Sequence, residues 1–343
     1  MKKPPLVSVI ITNWNGGELY KKCIKSLSEI DYPKWELVVV DDASTDDSFK
    51  TPLPKSSKLI INKKNVNFAR ANNIGYGYAK GKYILLLNND TLVPRDFLTN
   101  MTERMEADSN IGVLQPKIRL MDSPGYLDNA GSFMTRIGFL HHWGFGRKDS
   151  EEFDKEKEIF SAKGACMLIR NEIIKKSGLF DEDYISYFEE TDFCWRILLM
   201  GYKVLYYPGT EILHKVGFTT KRINVLQINY NSYKNRIATL IKNLGFFNLT
   251  FILPAHLVVS CGIAAAFALK GQFNNSFMII RAIWWNIVNL QKTLSKRSKV
   301  QALRKVSDGE IFRSLMAPVD WKGFFGDFKR IEKDLRLSLN QKR

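Results

Sequence analysis

The chain has 343 residues, 45% of them hydrophobic and 25% charged, with a formal net charge of +16. That length exceeds an ordinary single domain and the apolar fraction supports a sizeable core, which excludes a disordered or low-complexity polymer. The four cysteines, Cys23, Cys166, Cys194 and Cys261, have neither CxxC nor zinc-like spacing, so they suggest no disulfide framework, and a reducing compartment fits them.

Met1-Lys-Lys resembles the start of a signal peptide, but the apolar run behind it is broken by Asn13 and lacks a small-residue cleavage site. Residues 6–12 read better as a first strand. It runs into the turn Asn13-Trp-Asn-Gly-Gly17 and a helical pattern carried by Leu19, Cys23, Ile24 and Leu27. A strand-turn-helix of this kind is expected to aim backbone N–H groups at an anion. The segment has neither GxGxxG nor a Walker lysine, which argues against a dinucleotide site and a P-loop. Residues 35–40 form a second apolar strand ending in Asp41 and Asp42. Because side chains alternate along a strand, one acid can face a cleft while its neighbour holds the turn.

Residues 83–87 are a third apolar run and lead to Asn88-Asn89-Asp90. Continuously apolar strands belong to parallel α/β sheets, whose carboxyl ends bind ligands. A divalent cation that arrives with substrate phosphates needs only one or two protein carboxylates, and Asp90 is placed to be one. The plainer role for Asp90 is a turn or N-cap. Residues 121–158, rich in glycine and aromatics, have the composition of a mobile lid. Within that lid, His141-His142 reads as acceptor-site or loop surface and Asp128 as a contact to sugar or acceptor. Lys163-Gly164-Ala-Cys166 precedes a short strand. Further on, Glu189-Glu190-Thr-Asp192 opens a helix amid aromatics that can desolvate the carboxylates, as a general base requires. Asp192 alone would also suit the helix dipole. A strand at 203–207 and the segment Pro208-Gly-Thr-Glu-Ile-Leu-His214 close this part of the chain.

Taken together, residues 9–15, 38–48, Asn67-Phe-Ala-Arg-Ala-Asn-Asn-Ile-Gly75, 85–94, Gly164-Ala-Cys-Met-Leu-Ile-Arg170, 188–196 and 208–214 resemble, in order, the motifs of glycosyltransferase family 2, in its rhamnosyltransferase-like branch. The resemblance covers roughly residues 6 to 220. It implies a GT-A fold, an α/β architecture with a mixed, mostly parallel, Rossmann-like sheet flanked by helices. By the same resemblance, Thr12, Asn13, Asp41 or Asp42, Arg70, Asn73 and Asn89 meet a nucleotide-sugar donor, and Gly164 lies beneath its sugar. Asp90 would be the last acid of the metal-binding DxD motif, holding Mg2+ or Mn2+, with His214 as a further ligand. Glu189 or Glu190 would be the catalytic base, Glu190 slightly preferred, with Asp192 behind it. Two departures stand out: Asn88 replaces the first acid of DxD, and Glu190 replaces the commoner Asp. The resemblance implies inversion at the anomeric carbon and leans toward a deoxyhexose donor such as dTDP-rhamnose.

Charge is unevenly placed. Residues 221–343 hold 21 Lys and Arg against 6 Asp and Glu, so nearly all the positive excess lies there. Nucleic-acid binding or a solvated helix face would account for the charge. Neither accounts for residues 249–269, 21 residues without a formal charge, long enough for a bilayer core. A single crossing would strand the basic tail on the far side, against the positive-inside tendency. A membrane-embedded or re-entrant hairpin, closed by the short run 277–290 with Trp284 and Trp285, is therefore expected. Residues 230–244 read as a bridging amphipathic helix and residues 324–339 as an interfacial one. The expected division is a catalytic domain at 1–225 and a basic, helical, membrane-associating region at 226–343. The expected partners are a nucleotide-sugar donor, a lipid-linked saccharide and an anionic membrane surface, with no nucleic acid, at the cytoplasmic face of the cell membrane. A nucleotidyltransferase would want a basic glycine-rich loop that Asn13 to Gly17 does not supply; a non-catalytic scaffold of the same fold is the other alternative.

Overall fold

The computed structural model describes residues 3–217 and 225–319. The N-terminal half alternates strands and helices: β1 (Val7–Asn13), α1 (Gly17–Ser28), β2 (Trp35–Asp41), β3 (Ser57–Ile61), α2 (Phe68–Tyr76), β4 (Tyr83–Leu87), β5 (Thr91–Leu92) and α3 (Phe97–Ala107). There follow β6 (Ile111–Leu120), β7 (Ser123–Asn129), β8 (Ser132–Thr135), β9 (Leu140–His142), β10 (Lys157–Glu158), β11 (Cys166–Arg170), α4 (Asn171–Ser177), α5 (Glu189–Leu199) and β12 (Lys203–His214). The C-terminal part comprises α6 (Val225–Asn243), α7 (Phe246–Leu269), α8 (Phe273–Val288), α9 (Leu290–Ala302), α10 (Asp308–Leu315) and β13 (Met316–Ala317).

Ten strands form one mixed sheet along the path β10-β12-β6-β11-β4-β1-β2-β3, with β5 on β12 and β7 on β6. The β4-β1-β2-β3 half is entirely parallel. All five residues of β4 are buried, as expected for a strand covered on both faces. β11 runs antiparallel between β4 and β6, so the other half is mixed. The chain leaves β1 toward β2 and β3, then returns to the opposite side of β1 with β4. That reversal opens a crevice beyond the carboxyl ends of β1 and β4, where open α/β sheets take ligands.

The strand expected at 203–207 is longer. It continues through Pro208-Gly-Thr to His214 as one strand parallel to β6, with a register irregularity between Tyr207 and Glu211 that absorbs the proline. The region expected to be a mobile lid is instead built: β7 pairs with β6, β8 with β9, and Leu127, Phe133, Met134, Trp143 and Phe153 are buried. Its glycines mark tight turns between short strands whose apolar side chains found a core.

The helical region is not a detachable appendage. Leu240, Leu244, Ile252, Val300, Ile311 and Leu315 share one hydrophobic core with Ile84, Phe160 and Trp195, and β13 pairs with β8. Helix α6 bridges the two parts as expected. Helices α7 and α8 fold back on each other as a helical pair around Gly271 (φ +72). The interfacial helix expected at 324–339 lies outside the described residues.

Candidate active site

At the sheet's reversal lies a cavity of about 400 Å³. Thr12, Asn13 and Asn89 line it from the strand ends, Asp42 and Asn67 from the following loops, and Gln227 and Asn231 of α6 from above. Asn13 is fully buried; its amide donates to Asp41 and Ser48, each at 2.8 Å, and its oxygen accepts from Asn89 at 2.9 Å. This bond ties β1 to the segment after β4. A side chain at Gly16 would strike it, since a Cβ there would lie 2.3 Å from Asn13 Oδ1 and 2.7 Å from Asn89 Nδ2.

Of the two adjacent acids, Asp41 turns inward to Asn13 and Ser44, while Asp42 is on the cavity wall and holds the Asn62 amide and the backbone N–H of Val66 and Asn67. Three expectations need correction. Arg70 is solvent-exposed and faces Glu182 at 3.7 Å, and Asn73 is spent on the backbone of Phe180, so neither lines the cavity. Both project from the outer face of α2, toward the loop before α5. The anion site expected at the start of α1 is also filled, because Gly17 N donates to Asp46 Oδ2 at 3.0 Å.

Asp90 is buried at the edge of the same crevice. His214, at the end of β12, brings Nε2 to 3.2 Å from Asp90 Oδ1, close but not aligned as a hydrogen bond, so that oxygen has no directed partner. The imidazole is oriented from behind by Asp128, whose Oδ2 lies 2.8 Å from Nδ1. Burial pulls the His214 pKa down, but contacts with Asp128 and Asp90 outweigh it and hold the value above the ordinary 6.5. Asp128 is fully buried and pairs with Lys163 Nζ at 2.6 Å. It therefore reaches neither sugar nor acceptor directly, contrary to expectation; it orients His214. Sequence does not show this, because β7, Ser-Pro-Gly-Tyr-Leu-Asp-Asn, has the composition of a loop.

No set of three or more His, Cys, Asp and Glu side chains forms a cage among the described residues. The residues present nonetheless fit a cation delivered with a diphosphate: one buried carboxylate oxygen without a partner and one imidazole locked by a carboxylate.

Lys163 leads to the second carboxylate centre. Its neighbour Gly164 faces Glu190, with a Cβ at that position 3.8 Å from Glu190 Cβ. Glu189 and Glu190 open α5, and each buries an Oε2 that has no hydrogen-bond partner. Burial raises both pKa values above the ordinary range, Glu189 strongly, because the Glu190 charge adds to desolvation. For Glu190, the Lys163 charge counteracts burial. Asp192, by contrast, is saturated by Arg196 at 3.1 Å, Lys242 at 3.0 Å and Asn243 at 2.8 Å. It pins α5 to α6 and is corrected from a catalytic to an architectural role.

The approach to these glutamates is strained. Ile185, Tyr187 and Phe188 all have positive φ, between 65° and 72°, a conformation costly for bulky side chains that concentrates at functional sites. Asn235 of α6 holds the segment by donating to the carbonyls of Tyr184, Ser186 and Tyr187 at 2.9, 2.9 and 2.6 Å. Lys242 and Lys296 further clasp Asp181, and Lys292 and Lys296 clasp Asp183. Part of the positive excess of the C-terminal region is therefore spent internally, on the loop that leads into Glu189 and Glu190.

Residues 8–178 match the family model for glycosyl transferase family 2. The chain belongs to glycosyltransferase family 2. Its relatives include a cholesterol galactosyltransferase of Borreliella burgdorferi, 24% identical over 331 residues that cover 88% of this chain and 85% of that protein. Among solved structures, GalNAc-T7 with UDP, GalNAc and Mn2+ superposes with a TM-score of 0.56 at 18% identity, covering 71% of this chain and 48% of the other. The mannosyltransferase PcManGT of Pyrobaculum calidifontis, in complex with GDP-Man and Mn2+, superposes at 0.51 and 19% identity, over 88% and 86%. These likenesses place the family 2 chain in the GT-A fold, and the first relative spans the helical region as well as the sheet.

Proposed function

We propose that this glycosyltransferase moves a sugar, with inversion, from a nucleotide donor to a hydroxyl of a membrane-borne lipid or lipid-linked saccharide at the cytoplasmic face of the membrane. The observation that carries the reading is the chain of contacts Asp90, His214, Asp128, Lys163, then Gly164 against Glu190, which links two buried carboxylate centres, each with an oxygen that has no hydrogen-bond partner. The donor's nucleoside would occupy the cavity at Thr12, Asp42 and Asn89, with its diphosphate toward Asp90. Asp90 and His214 would hold Mg2+ or Mn2+, which when bound stabilises negative charge on the leaving diphosphate.

On the other side, Glu190 accepts the proton of the incoming hydroxyl as its oxygen bonds to the anomeric carbon. The bond from that carbon to the diphosphate breaks, and its electron pair leaves with the nucleoside diphosphate. One base facing the leaving group gives one displacement and hence inversion. Lys163 keeps Glu190 ionisable despite its burial, and Gly164 leaves room above it.

The membrane side of the proposal rests on the exposed apolar surface of α7 and α8, described below, and on the relative named for a sterol acceptor. A rhamnosyl donor remains the choice of the family resemblance, whereas the reported relatives are named for galactose, N-acetylgalactosamine or mannose. A panel of sugar nucleotides with Mg2+ or Mn2+ tests the reading: one donor should raise the melting temperature and be hydrolysed slowly without acceptor. Thermal stabilisation without any turnover would instead favour a non-catalytic scaffold.

A further inference from the structure

Arg236 stands apart from the other cations of α6. Lys242 is paired with two carboxylates and Lys234 donates to the carbonyl of Asp183. Arg236 forms neither a hydrogen bond nor an ion pair among the described residues, and its Nε is buried without a partner. Three aromatic rings hold the guanidinium in place: Phe139 at 4.4 Å, Phe188 at 5.0 Å and Tyr233 at 5.4 Å from Cζ. Such contacts fix a cation but leave its in-plane donors unspent. A desolvated guanidinium with no acceptor is costly, and a planar fork of donors is suited to phosphate.

Its surroundings point to the acceptor side of the crevice. Phe188 immediately precedes the Glu189–Glu190 pair. The charges of Lys163 and Arg236 both act on His142, whose Nδ1 lies 2.8 Å from Ser132 Oγ. The donor cavity takes Gln227 and Asn231 from α6; Arg236, five residues beyond Asn231, is about 140° further round the helix and faces Phe139 instead. The Phe139 ring lies 4.5 Å from that of His256 of α7, tilted by 38°, so the aromatic rings around Arg236 abut the apolar hairpin.

Resting on the function proposed above, we infer that Arg236 binds a phosphate carried by the lipid acceptor, with the hydrocarbon chain running onto the α7–α8 surface. The enzyme thereby selects an anionic lipid acceptor and sets its hydroxyl near Glu190.

The test is calorimetric titration of the full-length chain with octyl phosphate, octyl glucoside, inorganic phosphate and UDP with Mg2+, for the wild type, Arg236→Gln and Arg236→Lys. The wild type should bind octyl phosphate about ten- to a hundred-fold more tightly than octyl glucoside, the range expected of a charge-assisted hydrogen bond. Arg236→Gln should erase that preference, Arg236→Lys should keep part of it, and UDP affinity should be alike in all three. No preference in the wild type, or one that survives in Arg236→Gln, overturns the inference, as does a loss of UDP affinity in that variant, which would assign the guanidinium to the donor. Inorganic phosphate binding as tightly as octyl phosphate would remove the lipid from it. Because the wild type's own preference is read directly, misfolding of a variant cannot rescue the inference. A wild type that binds no sugar nucleotide of the donor panel defeats the transferase reading, while the alkyl phosphate arm remains readable.

Discussion

Asn235 donates its side-chain amide to the carbonyl of Tyr187 at 2.6 Å, and through that contact and two like it a helix of the C-terminal region holds the backbone that leads into Glu189 and Glu190. Three residues with positive φ precede α5, and the Asn235 contacts hold the backbone around them. Replacing Asn235 by Ala removes the two N–H donors shared among these three carbonyls, each donor worth about 1 kcal/mol, and frees the loop to relax. Asn235→Ala should therefore lower kcat at least tenfold while nucleoside diphosphate binding changes little. Steady-state kinetics beside a thermal melt check this; a large fall in melting temperature with normal kcat in the surviving enzyme would reduce Asn235 to a stability role.

The two adjacent glutamates should separate on substitution. General-base assistance is typically worth about 10² to 10⁴ in rate, so Glu190→Gln should lose that much transfer and still bind donor. Glu189→Gln should be milder, because Glu189 is the more buried of the two while Glu190 lies against Gly164. Reversal of this order in single-turnover transfer would move the base by one residue.

The same pair predicts a pH dependence. Burial raises both carboxyls above the ordinary value of 4.5, so the base becomes competent only as pH rises above that value, and kcat should fall on the acid side with an apparent pKa higher than that of a free glutamate. Stability has the opposite sign. A carboxyl whose folded pKa is raised contributes stability that is complete below the unfolded value and lost as pH rises through the folded one. Glu189→Gln, which cannot ionise, should escape that loss. Chemical denaturation between pH 4 and 8 should show its stability advantage over wild type widening with pH; parallel curves would refute the assignment.

How much of this was legible in the chain varied with the kind of residue. Thr12, Asn13, Asp42 and Asn89 are implied by the family resemblance, on segments that follow continuous apolar strands, and they line the cavity. Arg70 and Asn73 were misplaced because a helix has several faces, and a motif does not say which one looks inward. Asp128 was visible as a residue, but its partner His214 lies 86 positions away and the strand that carries it is too rich in turn residues to be read as a strand. Asn235 and Arg236 gave no signal at all. Their roles depend on a strained loop and a ring of aromatics that exist only after α6 has packed on α5.

Metal dependence should follow the orientation of His214. Asp90→Asn should abolish stabilisation of the protein by nucleoside diphosphate with Mn2+ and spare the weaker effect of the nucleoside alone. Asp128→Asn leaves both candidate ligands in place but loosens the imidazole, and loss of such an outer contact typically costs 10- to 100-fold in metal affinity. Titrating Mn2+ against each variant and following the melting temperature distinguishes the two; equal behaviour of Asp128→Asn and wild type would deny His214 a place at the metal. Chelation should abolish transfer in the wild type.

The hairpin should decide where the enzyme works. Helix α7 has a mean hydropathy of 2.1 over its most apolar window, but only 28% of that window is buried within the protein. Its narrow inner seam, Ile252, His256, Ser260, Ala264 and Phe267, packs inward, while Phe247, Phe251 and Val258 are 72%, 61% and 72% exposed. Phe277 and Trp284 of α8 add 60% and 63%. His256, mid-helix, lies 2.9 Å from the carbonyl of Ile137 in the sheet-bearing part, so α7 cannot cross a bilayer in this arrangement; it would lie along one surface with its outer face immersed. Since burying each large apolar side chain is worth about 1.5–3 kcal/mol, Phe251→Asp with Trp284→Asp should reduce co-sedimentation with vesicles by more than tenfold. The fold should tolerate both changes, because neither side chain packs inside. Undiminished vesicle binding by the double variant, with an unchanged melt, would remove the hairpin from the membrane.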